Sequence, residues 1–126
     1  MNDDASTRLP EPAAAEIRLA AVLHALAEPL RLRIARELAA GHLEMACIAF
    51  GLPVTKSTAT HHFRVLREAG VIRQHRRGTS RVSTLRSAEL DALFPGLLDR
   101  LLAAAEAEEL RDPAPTSASA AAPTME

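Results

Sequence analysis

The sequence predicts a mainly α-helical domain that carries one small β-hairpin, and three observations predict it. Apolar residues make up 48% of the chain but aromatic ones only 2%, so the core must be assembled from Leu, Ala, Ile and Val, which suit helices. Leu30, Ile34 and Leu38, then Ala59, Phe63 and Leu66, then Leu97, Leu98, Leu101 and Leu102 recur at three- and four-residue intervals, the spacing of helices docked by one face. VIRQHRR and SRVSTLR, on either side of Gly78 and Thr79, alternate as paired strands do.

The 126 residues suffice for one domain. Residues 1–12 and 111–126 read as disordered tails, because the second mixes Pro, Ser, Thr and Ala with almost nothing large to bury against the entropy of ordering. Residues 13–110 then form the folded domain. Its first helix is expected over Ala13 to Leu26, and its second starts at Pro29, a residue suited to a first helical position, and ends at Gly41. A short third helix is expected from Leu43 to Phe50, where Gly51 and Pro53 break the pattern.

The fourth helix is expected to start near Ser57, whose hydroxyl can cap it, and to stop at Gly70, the residue type that most easily turns left-handed. At 100° per residue, Ala59, Phe63 and Leu66 face inward, and Ser57, His61, Arg64 and Glu68 face outward. The hairpin projects beyond it as a wing. Ser87 is placed to cap a further helix containing Leu90, Leu93 and Phe94, which Pro95 interrupts. The leucine stripe beyond is too apolar for a solitary surface helix. It either packs on its own domain or, the favoured reading, forms a homodimer interface with the first helix through Ile17, Ala21, Leu90, Phe94, Leu97, Leu98, Leu101 and Leu102.

Charge points to the partner. Between Lys56 and Arg86 lie 8 of the 15 basic residues, opposed by Glu68 alone, in a chain whose formal net charge is −1. Concentrating positive charge on one helix and its hairpin suits a polyanion such as double-stranded DNA. Single-stranded nucleic acid is a poor fit, since the chain has no Tyr or Trp and three Phe residues in apparent core positions. Ser57, Thr58, Thr60 and His61 are the base-edge candidates, because the amino end of such a helix enters the major groove first. Lys56, Arg64, Arg67, Arg76, Arg77 and Arg81, with Thr79 at the wing tip, are the candidates for phosphate or minor-groove contact.

ALAEPLRLRIARELAAG from Ala25 to Gly41, KSTATHHFRVLREAGVI from Lys56 to Ile72, and the Arg-rich hairpin through Leu85 resemble the ArsR-type winged helix-turn-helix regulators of bacteria. The resemblance covers about residues 13–110. It implies a homodimeric, sequence-specific DNA-binding repressor, dimeric through its terminal helices, that leaves its operator when an effector binds. The chain departs from the family's metal-sensing members. The positions of their Cys-x-Cys pair hold Glu44 and Ala46, and no histidine occurs between Ser87 and Leu110 where the other common ligand set lies. Neither site can be assembled from these residues. No metal or other cofactor is expected, and the effector is unnamed.

Cys47, the single cysteine, rules out an internal disulfide and reads as a small buried residue or, alternatively, a thiol sensor. His62 falls toward the docked face and reads as a hydrogen-bonded structural residue, and adjacent residues on a helix diverge too far to chelate one ion together. Ser57 and His61 lie one turn apart without an acidic orienter, so no enzyme is predicted. With no secretory signal and no apolar run of about 18 residues, a cytoplasmic protein is expected. The competing readings are a protein-interaction module and an architectural DNA-binding protein without sequence preference.

Overall fold

The computed structural model describes residues 7–40, 44–46 and 51–112. Along the chain these form β1 (Thr7–Arg8), a 3-10 turn (Ala14–Glu16), α1 (Leu19–Leu26), α2 (Pro29–Ala39), β2 (Glu44–Ala46), α3 (Lys56–Ala69), β3 (Ile72–Arg77), β4 (Ser80–Leu85), α4 (Ser87–Leu93) and α5 (Leu97–Arg111). The strands make one antiparallel sheet in the order β1-β3-β4-β2. Mostly helical and bearing the hairpin where alternation placed it, the chain has the winged helix-turn-helix fold.

The core lies where α1, α2 and α3 meet the root of the hairpin. Val22, Ala25, Ile34, Leu38, Phe63, Leu66, Val71 and Ile72 are all at most 2% exposed. Helix α2 starts at Pro29 as its sequence demands, and Glu28 caps it by accepting hydrogen bonds from Leu30 N at 2.7 Å and Arg31 N at 3.0 Å. Arg31 is buried at the centre of the helical layer. Its guanidinium donates to Ala25 O at 2.7 Å and to His62 Nδ1 at 3.1 Å, so His62 accepts there and acts as the structural residue its position suggested. The 4.0 Å approach of Glu28 to the same Nδ1 adds no ion pair while that nitrogen holds its lone pair.

The structure departs from the sequence expectations at several places. Residues 7–12 are ordered: β1 pairs with β3, Leu9 N donates to Gln74 O at 2.9 Å, and Leu9 is buried. The first helix is broken, because Ile17 and Arg18 are extended (ψ 129° and 139°), which drops the Ile17 side chain onto Gly70 before α1 begins at Leu19. Residues 44–46 of the expected third helix form β2, whose hydrogen-bonding partner β4 outweighs a weak helical pattern. Residues 41–43 and 47–50, Gly41 and Cys47 among them, lie outside the described residues.

Thr55, not Ser57, caps α3, and α4 begins from Arg86 with Ser87 as its first residue and no side-chain cap. Ile17, Leu90 and Leu98, expected at a dimer interface, are only 5%, 2% and 6% exposed and pack in the core of this one chain, where they have little surface to offer a second copy. Phe94, Leu97, Leu101 and Leu102 are half-buried, Ala21 is exposed, and Leu19 and Leu23, one turn apart on α1, are 44% and 42% exposed.

Candidate nucleic-acid interface

Helix α3 is docked by Ala59, Phe63 and Leu66 and leaves Ser57, Thr58, Thr60, His61, Arg64 and Glu68 exposed. Its first turn is set by Thr55, whose Oγ1 accepts from Thr58 N at 3.2 Å and donates to Thr58 Oγ1 at 3.0 Å. The Thr58 hydroxyl accepts within the cap and keeps its proton to donate outward, and Ser57 Oγ lies 3.4 Å from the same Thr55 Oγ1, so the whole expected base-edge set, Ser57, Thr58, Thr60 and His61, stays on the exposed face. Arg64 donates to His61 Nδ1 at 3.4 Å, joining the outer face into one strip. Thr55→Ala is expected to cost about 1 kcal/mol, the usual value of a helix cap, measured by urea denaturation. An unchanged midpoint would mean that Ser57 takes over the cap.

At its other end α3 closes on Gly70, whose φ is +89°. Gly70 N donates to Arg67 O and Val71 N to Leu66 O, both at 3.0 Å, the paired bonds that end a helix in a left-handed residue. The chain thus leaves α3 directly into the wing. Its hairpin turns on two residues, Gly78 at φ +64° and Thr79, which is what a turn needing a left-handed first residue requires. Arg77 pairs with Ser80 and Arg76 with Arg81 across it.

Strand alternation sorts the wing's arginines onto two faces. Ile72, Gln74 and Arg76 share the face that packs toward α3 with Leu85, Ser83 and Arg81, and the charges of Arg81 and Arg64 both act on Arg67. Arg73, His75 and Arg77 lie on the other face, where with Arg8 and Thr84 they line an open groove. Arg77 donates to His75 Nε2 at 3.1 Å there. Arg76 and Arg77 therefore flank the tip on opposite sides, an arrangement that can straddle a phosphate backbone.

The basic cluster is not all interface. Arg67, expected on DNA, is 8% exposed: its guanidinium donates to Pro10 O at 2.9 Å and to Gln74 Oε1 at 2.7 Å, and burial lowers its pKa while leaving it charged. Arg73 donates to Glu11 Oε2 and Glu89 Oε1, each at 3.0 Å, and the Glu11 hydrogen bond raises its pKa. Arg86, 3% exposed, donates to Pro12 O at 2.9 Å and Glu89 Oε1 at 2.6 Å, and this bond holds the Glu89 carboxyl below the usual carboxylate range. Lys56, Arg64, Arg76 and Arg77 are exposed and Arg81 is half-buried. The outward set is five residues. Pro10, Glu11 and Pro12 escaped the sequence reading. Their signal was the two X-Pro steps in LPEP, which force extended backbone suited to a sheet edge.

Among the described residues no helix is long and apolar enough to cross a membrane. A family model described as "Helix-turn-helix domain" matches residues 26–75, from the end of α1 through most of β3. An uncharacterized HTH-type transcriptional regulator of Bacillus subtilis (strain 168), YceK, is 32% identical over 84 residues, 65% of this chain and 84% of that protein. The crystal structure of an ArsR family transcriptional regulator superposes with a TM-score of 0.53 at 22% identity, covering 82% of this chain and 97% of that one. Such a fold and family are those of regulators and not of enzymes. The docked α3, its exposed polar strip and the basic wing behind it accord with that match, and the chain belongs to the helix-turn-helix transcriptional regulators.

Proposed function

We propose that the protein is a homodimeric repressor that reads an inverted repeat in double-stranded DNA, with α3 in the major groove and the wing on the adjacent backbone. The observation that carries this reading is the division of the outward surface. Short polar side chains and an imidazole, Ser57, Thr58, Thr60 and His61, occupy the leading turns of α3, and Lys56, Arg64, Arg76, Arg77 and Arg81 frame them. Base edges supply specificity and phosphates supply position. The exposed Leu19 and Leu23 of α1, with Ala21 and the half-buried Phe94, Leu97, Leu101 and Leu102, favour pairing of two copies through the terminal helices. A two-fold dimer would present its two α3 helices one helical turn apart, roughly 34 Å.

Selection of bound duplexes from a random pool by the purified protein, at about 150 mM salt where non-specific attraction is weakened, tests the reading. Enrichment of a two-fold symmetric site is the expected result. Binding without enrichment would replace it with an architectural role, and no binding with a protein-interaction module. On the selected site, Arg77→Ala is expected to weaken specific and random duplexes alike, whereas His61→Ala reduces discrimination by roughly 1–3 kcal/mol per base pair read. Equal losses of specificity from both would contradict the assignment of roles.

A further inference from the structure

Three consecutive residues ahead of the first helix, Pro10, Glu11 and Pro12, each receive a guanidinium from a different part of the reading unit. Arg67 comes from α3, Arg73 from β3 and Arg86 from the start of α4. We propose that residues 7–12 are a strap that sets the angle between α3 and the wing, with Glu11, Arg67, Arg73 and Arg86 as positioning residues for DNA reading. The proposal rests on the DNA-binding role argued above and adds to it a positioning role for the segment ahead of the first helix.

The geometry supports a clasp more than a general packing contact. Arg67 bridges Pro10 O to Gln74 Oε1, and Gln74, with no exposed surface, passes the chain on to Ser83 Oγ at 3.1 Å. One hydrogen-bonded line thus crosses strap, recognition helix and both wing strands. On the other side of the strap, Glu89 Oε1 accepts from both Arg73 and Arg86, closing a second ring through Glu11. Backbone pairing of β1 with β3 and burial of Leu9 hold the strap in register.

Leverage makes the angle matter. A strand of six residues spans about 20 Å, so a tilt of about 10° at its root moves the tip by roughly 3 Å. That exceeds the latitude of a hydrogen bond to phosphate. From Pro12 the chain runs through the 3-10 turn to Ile17, which sits on Gly70 at the end of α3, and then into α1. The strap therefore joins the proposed dimer helix to both elements that read DNA.

The test uses the full chain with Glu11→Ala, Arg67→Met, both together, and Glu11→Gln, which keeps an acceptor for Arg73. For each variant three quantities are measured: the melting temperature, amide hydrogen exchange in β3 and β4, and the ratio of affinities for the selected and a random duplex. Each single change is expected to speed exchange in the wing and to lower the ratio by about tenfold, with the double variant little worse than either, because both open one clasp. Glu11→Gln is expected to retain most of the ratio. Unchanged exchange and ratio in both single variants, or losses that multiply in the double, would overturn the strap. A wild-type chain without duplex preference would overturn the sequence-specific reading instead, and the exchange arm would still decide whether residues 10–12 hold the wing.

Discussion

Gly70→Ala is expected to destabilise the domain by roughly 2–5 kcal/mol, from two costs that act together. The backbone at Gly70 has φ +89°, and a side chain in the left-handed region costs about 1–2 kcal/mol. A Cβ there would also lie 2.5 Å from Ile17 Cγ1 and 2.7 Å from Cδ1. Ile17 is only 5% exposed and cannot move aside without disturbing the core, and overpacking of this kind costs typically 1–3 kcal/mol. For a domain of about 100 residues, each 1 kcal/mol lowers the melting temperature by about 4–8 °C, so a fall of about 8 °C or more is expected. Gly78→Ala is the control: its φ is +64° but nothing lies within 4 Å of the added Cβ, so only the conformational cost applies. Equal losses at the two glycines would show that Ile17 yields freely and that the packing of Ile17 against α3 is loose.

That packing also marks the boundary of what the sequence could convey. Helix α3 and the hairpin were legible because each is long enough to show its period: Phe63 and Leu66 recur on a helical face, and VIRQHRR alternates. Pro29 and Gly70 announced their places because backbone conformation restricts those positions to few residue types. A two-residue strand such as β1, or the three residues of β2, has no period to detect. Each is defined by its hydrogen-bonding partner, β3 or β4, tens of residues away.

The candidate site divided along a similar line. Arginine in a sequence reads as free surface charge, yet Arg67 and Arg86 are buried and the half-buried Arg73 is held by carboxylates, because Pro10 O, Glu11, Pro12 O and Glu89 meet them. Only the fold reveals those acceptors. Cap choice failed for a related reason: Thr55, Ser57 and Thr58 are all competent, and the direction from which the chain enters α3 selects Thr55. The leucine stripe was recognised as apolar, but spacing alone did not separate Leu98, which faces its own core, from its less buried neighbours.

The separation of outward from inward arginines makes the salt dependence of DNA binding diagnostic. Each phosphate neutralised adds about −0.9 to the slope of log affinity against log salt. The sequence offers eight basic residues between Lys56 and Arg86 per chain, and the fold turns five of them outward. For the proposed dimer, this stretch then contributes at most about −9 to the slope, against about −14 if every basic residue of it met a phosphate. A slope between about −5 and −9 corresponds to a fall of three to five orders of magnitude in affinity between about 50 and 200 mM salt. Arg76→Ala is expected to make the slope shallower by about 2 in a dimer, because one phosphate per copy then keeps its counterion. Arg73→Ala should leave the slope unchanged even where it lowers affinity, since its guanidinium is held by Glu11 and Glu89 and releases no counterion when DNA binds. A slope change at Arg73 as large as that at Arg76 would place Arg73 on the DNA and remove the distinction between clasp and interface on which the strap depends. A complex insensitive to salt would remove the DNA reading itself, because five outward cations per chain cannot approach a duplex without displacing its counterions.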